Sequence, residues 1–189
     1  CIVLTGILFG DAPDGAALRT ALDRSGYQIL GEASDANGLH SLVQRLAPEV
    51  IIITTQSPRN ATLDSVSDIT NSDPRTIVMF ATDPRRDVIR KAVECGVSAY
   101  VVDGFAPERV PAIIEAASAR FEALQTVKHE LATTRMKRKV IEKAKGIIMR
   151  ERTLNEEAAY GALRKMAMDQ NLALAELARR VIAVADLLR

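Results

Sequence analysis

The chain of 189 residues has no tryptophan, two histidines, two cysteines and only seven aromatic residues. Cys1 and Cys95 offer neither a metal spacing nor a disulfide framework, so a reducing cytosol is expected. His40 and His129 lie far apart, which excludes a zinc site built on histidine. No apolar run is long enough for a membrane span. The opening stretch 1–9 is short and lacks a basic leader. A cytoplasmic location follows as the expectation, with no membrane partner. There is no Walker-type phosphate loop and no Ser/His/Asp or Cys/His cluster, so no catalytic residue, metal or cofactor is expected and the chain reads as a non-enzyme. With 48% apolar and 26% charged residues, disorder is excluded and one domain or two small ones are allowed.

Charge is present but divided. The formal net charge is +1, yet residues 1–106 hold nine Lys/Arg against thirteen Asp/Glu, and residues 107–189 hold sixteen against eleven. The stretch 135–152 alone carries eight basic and two acidic residues. Such a split suits an acidic front module joined to a back module that meets a polyanion, although a solvated helix surface has the same composition.

The front hundred residues alternate apolar runs at 2–9, 27–33, 50–54, 76–81 and 99–102 with amphipathic stretches near 13–25, 36–46, 61–70 and 84–95. The runs are continuous and rich in Val and Ile, as strands covered on both faces should be. Pro13 and Pro84 mark first helical turns, Asp83 is the expected N-cap of the fourth helix, and Gly26 and Gly96 close helices. Five strand–helix units of this size predict a flavodoxin-like parallel sheet, with its site outside the carboxyl ends of the strands.

From Pro107 the pattern turns helical throughout. Val110, Ile114, Ala117, Phe121 and Leu124 step by four and three, and Leu131 falls seven beyond Leu124, a coiled-coil spacing broken by Lys128. A helix from 107 to about 151 would be about 65–70 Å long. The expected dimer seam runs through Ile114, Phe121, Leu124 and Leu131; packing of the first four turns on the front sheet is the alternative. Thr153 with Glu156 offers a capping box and Asn155 a competing N-cap. Two short helices follow, separated by a turn at Gln170–Asn171. With Ile141, Ala144 and Ile148 they close a small three-helix bundle. The expected division is 1–106, 107–134 and 135–189.

The front module resembles the receiver domain of two-component response regulators. Phosphoryl transfer to a receiver needs a carboxylate at the end of the third strand, an acidic pair after the first and a lysine after the fifth. The corresponding positions carry Thr54, Gly10-Asp11 and Asp103. A hydroxyl cannot form an acyl phosphate, and Asp103 reverses the lysine's charge. Asp11, Thr54 and Asp103 therefore mark a degenerate pocket, and the module is read as a pseudo-receiver kept for protein contact.

The segment Lys139-Val140-Ile141-Glu142-Lys143-Ala144-Lys145-Gly146-Ile147-Ile148-Met149, with Glu156-Glu157-Ala158-Ala159-Tyr160 and Leu163 through Met168, resembles the ANTAR domain, with Ile148 where the pattern usually has Leu. With the receiver-like front, the chain resembles NasT-type antiterminators. That resemblance implies a bacterial regulator that binds two-hairpin motifs in nascent leader mRNA and prevents terminator formation. It also implies control of nitrate and nitrite assimilation through an inhibitory nitrate/nitrite-sensing partner, a homodimer on RNA, and RNA polymerase engaged only indirectly.

The residues support RNA binding on their own. On a wheel of about 100° per residue, Val140, Ile141, Ala144, Ile147 and Ile148 share one arc. Arg135, Arg138, Lys139, Lys143, Lys145, Arg150 and Arg152 occupy the rest, with Gly146 among them and Lys137 turned inward. Arg138, Lys139, Lys143, Lys145, Gly146 and Arg150, extended by Arg164 and Lys165, are the candidate RNA contacts, Lys145 and Gly146 foremost. Tyr160 is read as a bundle residue ahead of a base-stacking one, and Met166 and Met168 as core. The competing reading is a phosphorylation-controlled response regulator with a nucleic-acid-binding output domain. A helix-turn-helix finds little support, because the last helix bears only Arg179 and Arg180.

Overall fold

A computed structural model describes residues 5–10, 15–102 and 106–187. The chain divides into two compact units, 1–124 and 125–189.

The first unit alternates β1 (Thr5–Gly10), α1 (Gly15–Arg24), β2 (Gln28–Ala33), α2 (Ala36–Leu46), β3 (Val50–Thr55), α3 (Asn60–Ser72), β4 (Thr76–Ala81), α4 (Arg86–Cys95) and β5 (Ala99–Val102). The strands form one parallel sheet in the order β2-β1-β3-β4-β5. Strands β3 and β4 are buried at every position, which is why their sequences are apolar without alternation. Their side chains divide by parity. Ile51, Ile53, Ile77 and Met79 pack with Leu39, Val43, Leu63 and Val66 of α2 and α3. Val50, Ile52, Val78 and Phe80 pack on the other face with Leu18 and Leu22 of α1.

That second face is completed by Val110, Ile114 and Ala117, the first turns of α5 (Val110–Arg152). The helix follows a 3-10 turn at Pro107–Arg109. Ile114 is fully buried in this core. It is therefore consumed by its own sheet and is no part of a dimer seam, because the heptad pattern and the sheet-facing stripe coincide over these turns. Phe121 is half-buried, while Leu124, Val127 and Leu131 are 51%, 60% and 49% exposed. The boundary between the units thus falls inside α5.

The second unit packs α5 from Val140 onward with α6 (Glu156–Asp169) and α7 (Leu174–Leu187) around Ala144, Ile148, Leu163 and Leu177. Asn155 caps α6, its side chain accepting from the Ala158 amide. Thr153 instead takes a left-handed φ of 53° just past α5, so the capping box does not form. Asn171, at φ 52°, turns the chain between α6 and α7. The cap of α4 also departs from expectation: Arg85 occupies the N-cap position without a side-chain cap bond, and Asp83, two residues earlier, accepts from the Arg85 amide and guanidinium. Gly96 does close α4, at φ 114°. None of the described helices is long and apolar enough to cross a membrane.

The two parts of α5 should respond differently to truncation. Ile114→Ala empties a filled core and is expected to cost about 2–4 kcal/mol, whereas Leu124→Ala removes an exposed side chain and should change stability by less than about 0.5 kcal/mol. Urea unfolding of each variant at low protein concentration checks this. Equal losses would show that Leu124 is as buried as Ile114.

Candidate nucleic-acid interface

The basic residues of the second unit separate into two groups. Arg138, Lys139, Lys143, Arg150, Arg164 and Lys165 are exposed. Arg138, Lys139, Arg164 and Lys165 make no ion pair with described residues, and two others have loose partners: Lys143 Nζ is 3.6 Å from Asp186 and Arg150 Nε 4.0 Å from Glu151, all four side chains being largely in solvent. Exposed pairs of that kind hold little free energy, so these cations remain available to an anionic partner. Lys137 is exposed too, contrary to the wheel, because the bundle that would receive it begins only at Val140.

Lys145 belongs to the other group. Only 8% of the residue is exposed. Its ammonium lies 2.5 Å from Glu142 Oε2, one turn back on α5, and donates to Glu156 Oε1 at 2.7 Å, in the first turn of α6. The side chain sits at the border of the apolar arc, and the start of α6 covers it. A wheel of α5 alone carries no sign of that cover. Lys145 is therefore not a side chain standing in solvent for a phosphate but an ionic tie between two helices. The Glu142–Lys145 spacing of three was the one readable sign of it.

Gly146, next to it, is exposed, and a Cβ built there would meet nothing within 4 Å. It lines a groove of about 270 Å³ with Lys143 and Arg150 of α5 and Asp186 of α7. Bare backbone beside two exposed cations leaves room for close approach of a ligand. Tyr160 is 43% exposed and Met168 70% exposed, so neither is a core residue; Met166 does pack against the core.

In the first unit, Thr54 is buried at the carboxyl end of β3, in register with Gly10 and Phe80. Asp11 and Asp103 lie outside the described residues. Beside Thr54 the loops after β3 and β4 are fastened together. Ser57 Oγ donates to Asp83 Oδ2 at 2.6 Å, Arg85 donates to the same carboxylate at 2.8 Å, and Tyr100 Oη donates to the Asp83 carbonyl at 3.0 Å. The Thr82 amide and hydroxyl both reach the Gln56 carbonyl. Arg85 above all, and then Ser57, hold the Asp83 carboxyl far below the usual carboxylate range. No cluster of three or more potential metal ligands occurs among the described residues.

Comparison with known proteins assigns the second unit. Residues 129–182 match the ANTAR domain. The chain joins a receiver fold to an ANTAR domain. Over 168 residues it is 29% identical to the transcriptional regulatory protein PdtaR of Mycobacterium tuberculosis, covering 87% of this chain and 82% of that protein. The nitrate regulatory protein of Klebsiella oxytoca is 44% identical over 69 residues, 35% of this chain and 17% of that one. The fold of the first unit matches a LuxR-family two-component response regulator from Aurantimonas, with a TM-score of 0.55 and 25% identity over 61% of this chain and 84% of that chain.

The ionic tie gives the ANTAR unit a defined pH response. Hydrogen bonds donated to Glu142 and then Glu156 raise Lys145 above the ordinary lysine range, and Lys145 lowers Glu156 below the ordinary glutamate range. A raised lysine stabilises below its ordinary value and loses that contribution as pH climbs through the raised one. A lowered glutamate stabilises above its ordinary value and loses it as pH falls. The unit should be most stable at neutral pH and soften in acid and in strong alkali. Lys145→Met is expected to lower the melting temperature at pH 7 and to flatten the acid limb. A variant that melts like the parent at every pH would remove the tie from consideration.

Proposed function

We propose that this chain is a cytoplasmic transcription antiterminator whose ANTAR domain binds two-hairpin motifs in nascent leader mRNA and prevents a terminator from forming. The observation that carries the reading is an ANTAR domain whose exposed cations, Arg138, Lys139, Arg164 and Lys165, have no ionic partner among the described residues. Cations left uncommitted by the fold suit a phosphate backbone, and Gly146 gives an open approach beside Lys143 and Arg150. Lys145 acts in this reading by holding α6 against α5, and so by fixing where Arg164 and Lys165 stand. Tyr160 is exposed on α6, and in this reading it stacks on an unpaired loop base.

The receiver fold serves as a docking module in this proposal. Thr54 in place of the acceptor carboxylate favours protein contact over phosphorylation, the competing mode of control. An inhibitory partner that senses nitrate or nitrite is the regulator that the resemblance to NasT-type antiterminators implies, and the likeness to the nitrate regulatory protein supports its nitrate part. Phe121, Leu124 and Leu131 are the remaining seam, and homodimerisation through them is the assembly we assign to the RNA-bound form.

Two measurements test the proposal. Lys139→Ala, Arg164→Ala and Lys165→Ala should each weaken binding of a two-hairpin leader RNA. Each should also flatten the log–log salt dependence by roughly 0.7–0.9 per lost phosphate contact, while melting like the parent. Gly146→Leu should weaken binding with the salt slope kept. Parent-like affinity in all four variants would reduce the basic surface to solvated helix.

The seam is tested separately. Leu124→Glu with Leu131→Glu should leave a folded chain that sediments as a monomer on RNA and has lost antitermination in a transcription assay. Full activity as a monomer would overturn the assembly.

A further inference from the structure

The second unit holds a larger concavity that the RNA reading does not use. It measures about 490 Å³ and is enclosed by the ends of α5 and α6 and the middle of α7. Its floor is apolar: Ile147, Ile148, Met166, Leu177 and Val181. Val184, on the lip, is 56% exposed. Its rim carries Arg150, Arg152 and Arg180 against one carboxylate, Glu151. Arg180 is partly committed, 3.0 Å from Glu176, and Arg150 loosely so, but Arg152 is exposed and makes no ion pair with described residues.

The composition of this groove selects its occupant. No aromatic side chain lines it, and Gln170 supplies its one amide, so it lacks the stacking face and the edge partners that hold a nucleobase. An apolar floor gains from burying hydrocarbon, and three guanidinium groups on one rim favour an anion with two or more oxygens. A concavity of this size lies within the roughly 300–1,000 Å³ of small-molecule sites. We propose that it binds a small anionic amphiphile, an aliphatic chain with one carboxylate or phosphate head, seated with the head on Arg152 and Arg150. Where Arg150 also meets RNA, as the function proposed above has it, the head and the RNA compete for that side chain. The groove is then an effector site that lowers RNA affinity when filled.

Calorimetry on the full chain with octanoate, decanoate and octanol tests the site without RNA, and so independently of the antiterminator reading. Binding should tighten about fourfold per added methylene, and octanol should bind at least tenfold more weakly than octanoate. In methyl NMR spectra decanoate should shift Ile148, Leu177 and Val184 and leave Leu124 and Leu131 unmoved. Arg152→Glu and Val184→Asp, both at exposed positions, should each weaken decanoate several-fold with the melting temperature unchanged. Saturating decanoate should weaken the leader RNA several-fold. Equal binding of octanol and octanoate, or shifts outside the groove, would overturn the site. So would Val184 shifts that follow protein concentration alone, which would mark contact between copies, or that follow RNA but not decanoate, which would mark an RNA surface. Decanoate bound in the groove with RNA affinity unchanged would overturn its effector role.

Discussion

One helix supplies a buried face to two separate cores, and most of the chain's organisation follows from that constraint. Helix α5 runs unbroken for 43 residues. Its first turns give Val110, Ile114 and Ala117 to the sheet, and its last turns give Ala144 and Ile148 to the bundle. Between them no described element covers the helix, and apolar residues stand exposed at Leu124, Val127 and Leu131. A polar surface would be expected on a helix that serves only as a spacer, since exposed leucines gain nothing in water. Their presence at heptad spacing is the reason for placing a second chain there.

In the receiver unit the carboxyl end of β3 carries the neutral Thr54, where phosphoryl transfer would need a carboxylate. A carboxylate at that position would put a charge at the end of a fully buried strand, a desolvation cost that a hydroxyl avoids. The neighbouring loops are fastened by other means. Asp83 receives Ser57 and Arg85 on its side chain and Tyr100 on its carbonyl, joining the loop after β3, the loop after β4 and strand β5. This arrangement also explains the displaced cap of α4. A carboxylate that holds Arg85 and Ser57 serves the loops first, and the helix starts two residues later than a capping aspartate would have it.

Periodicity made the fold legible. Apolar runs gave all five strands within a few residues, most cleanly β3 and β4, because a doubly covered strand has no polar face to confuse the pattern. The ANTAR motif was legible as a string, since its spacing spans a helix, a turn and a second helix. Individual side chains were less so. Ile114 satisfied two patterns at once, and only the buried sheet decides between them. Tyr160 and Met168 are apolar by type yet exposed, because α6 meets the bundle through a narrow stripe of Ala159, Leu163 and Ala167 that needs no larger residue. Lys145 misled for a related reason. Its neighbour Glu156 is eleven residues away and lies on another helix, so the Glu142–Lys145 spacing was all that α5 itself showed of the tie.

The two groups of cations in the ANTAR unit illustrate why a count of charges is a poor guide to a binding face. Removing one partner from a covered, doubly paired lysine leaves charge without compensation, which is costly, whereas an exposed lysine loses almost nothing when its neighbours change. Lys145 is bound by that cost to its two glutamates, and surrendering it to RNA would require breaking two short bonds for one. Lys139, Arg164 and Lys165 face no such exchange. The number of cations in the stretch 135–152, rather than its net charge, therefore overstates what it offers to a partner: one of its cations is spent on the fold, and one of its two acids, Glu142, is spent with it. What α5 presents outward is the remainder, arranged around a glycine that leaves the backbone bare.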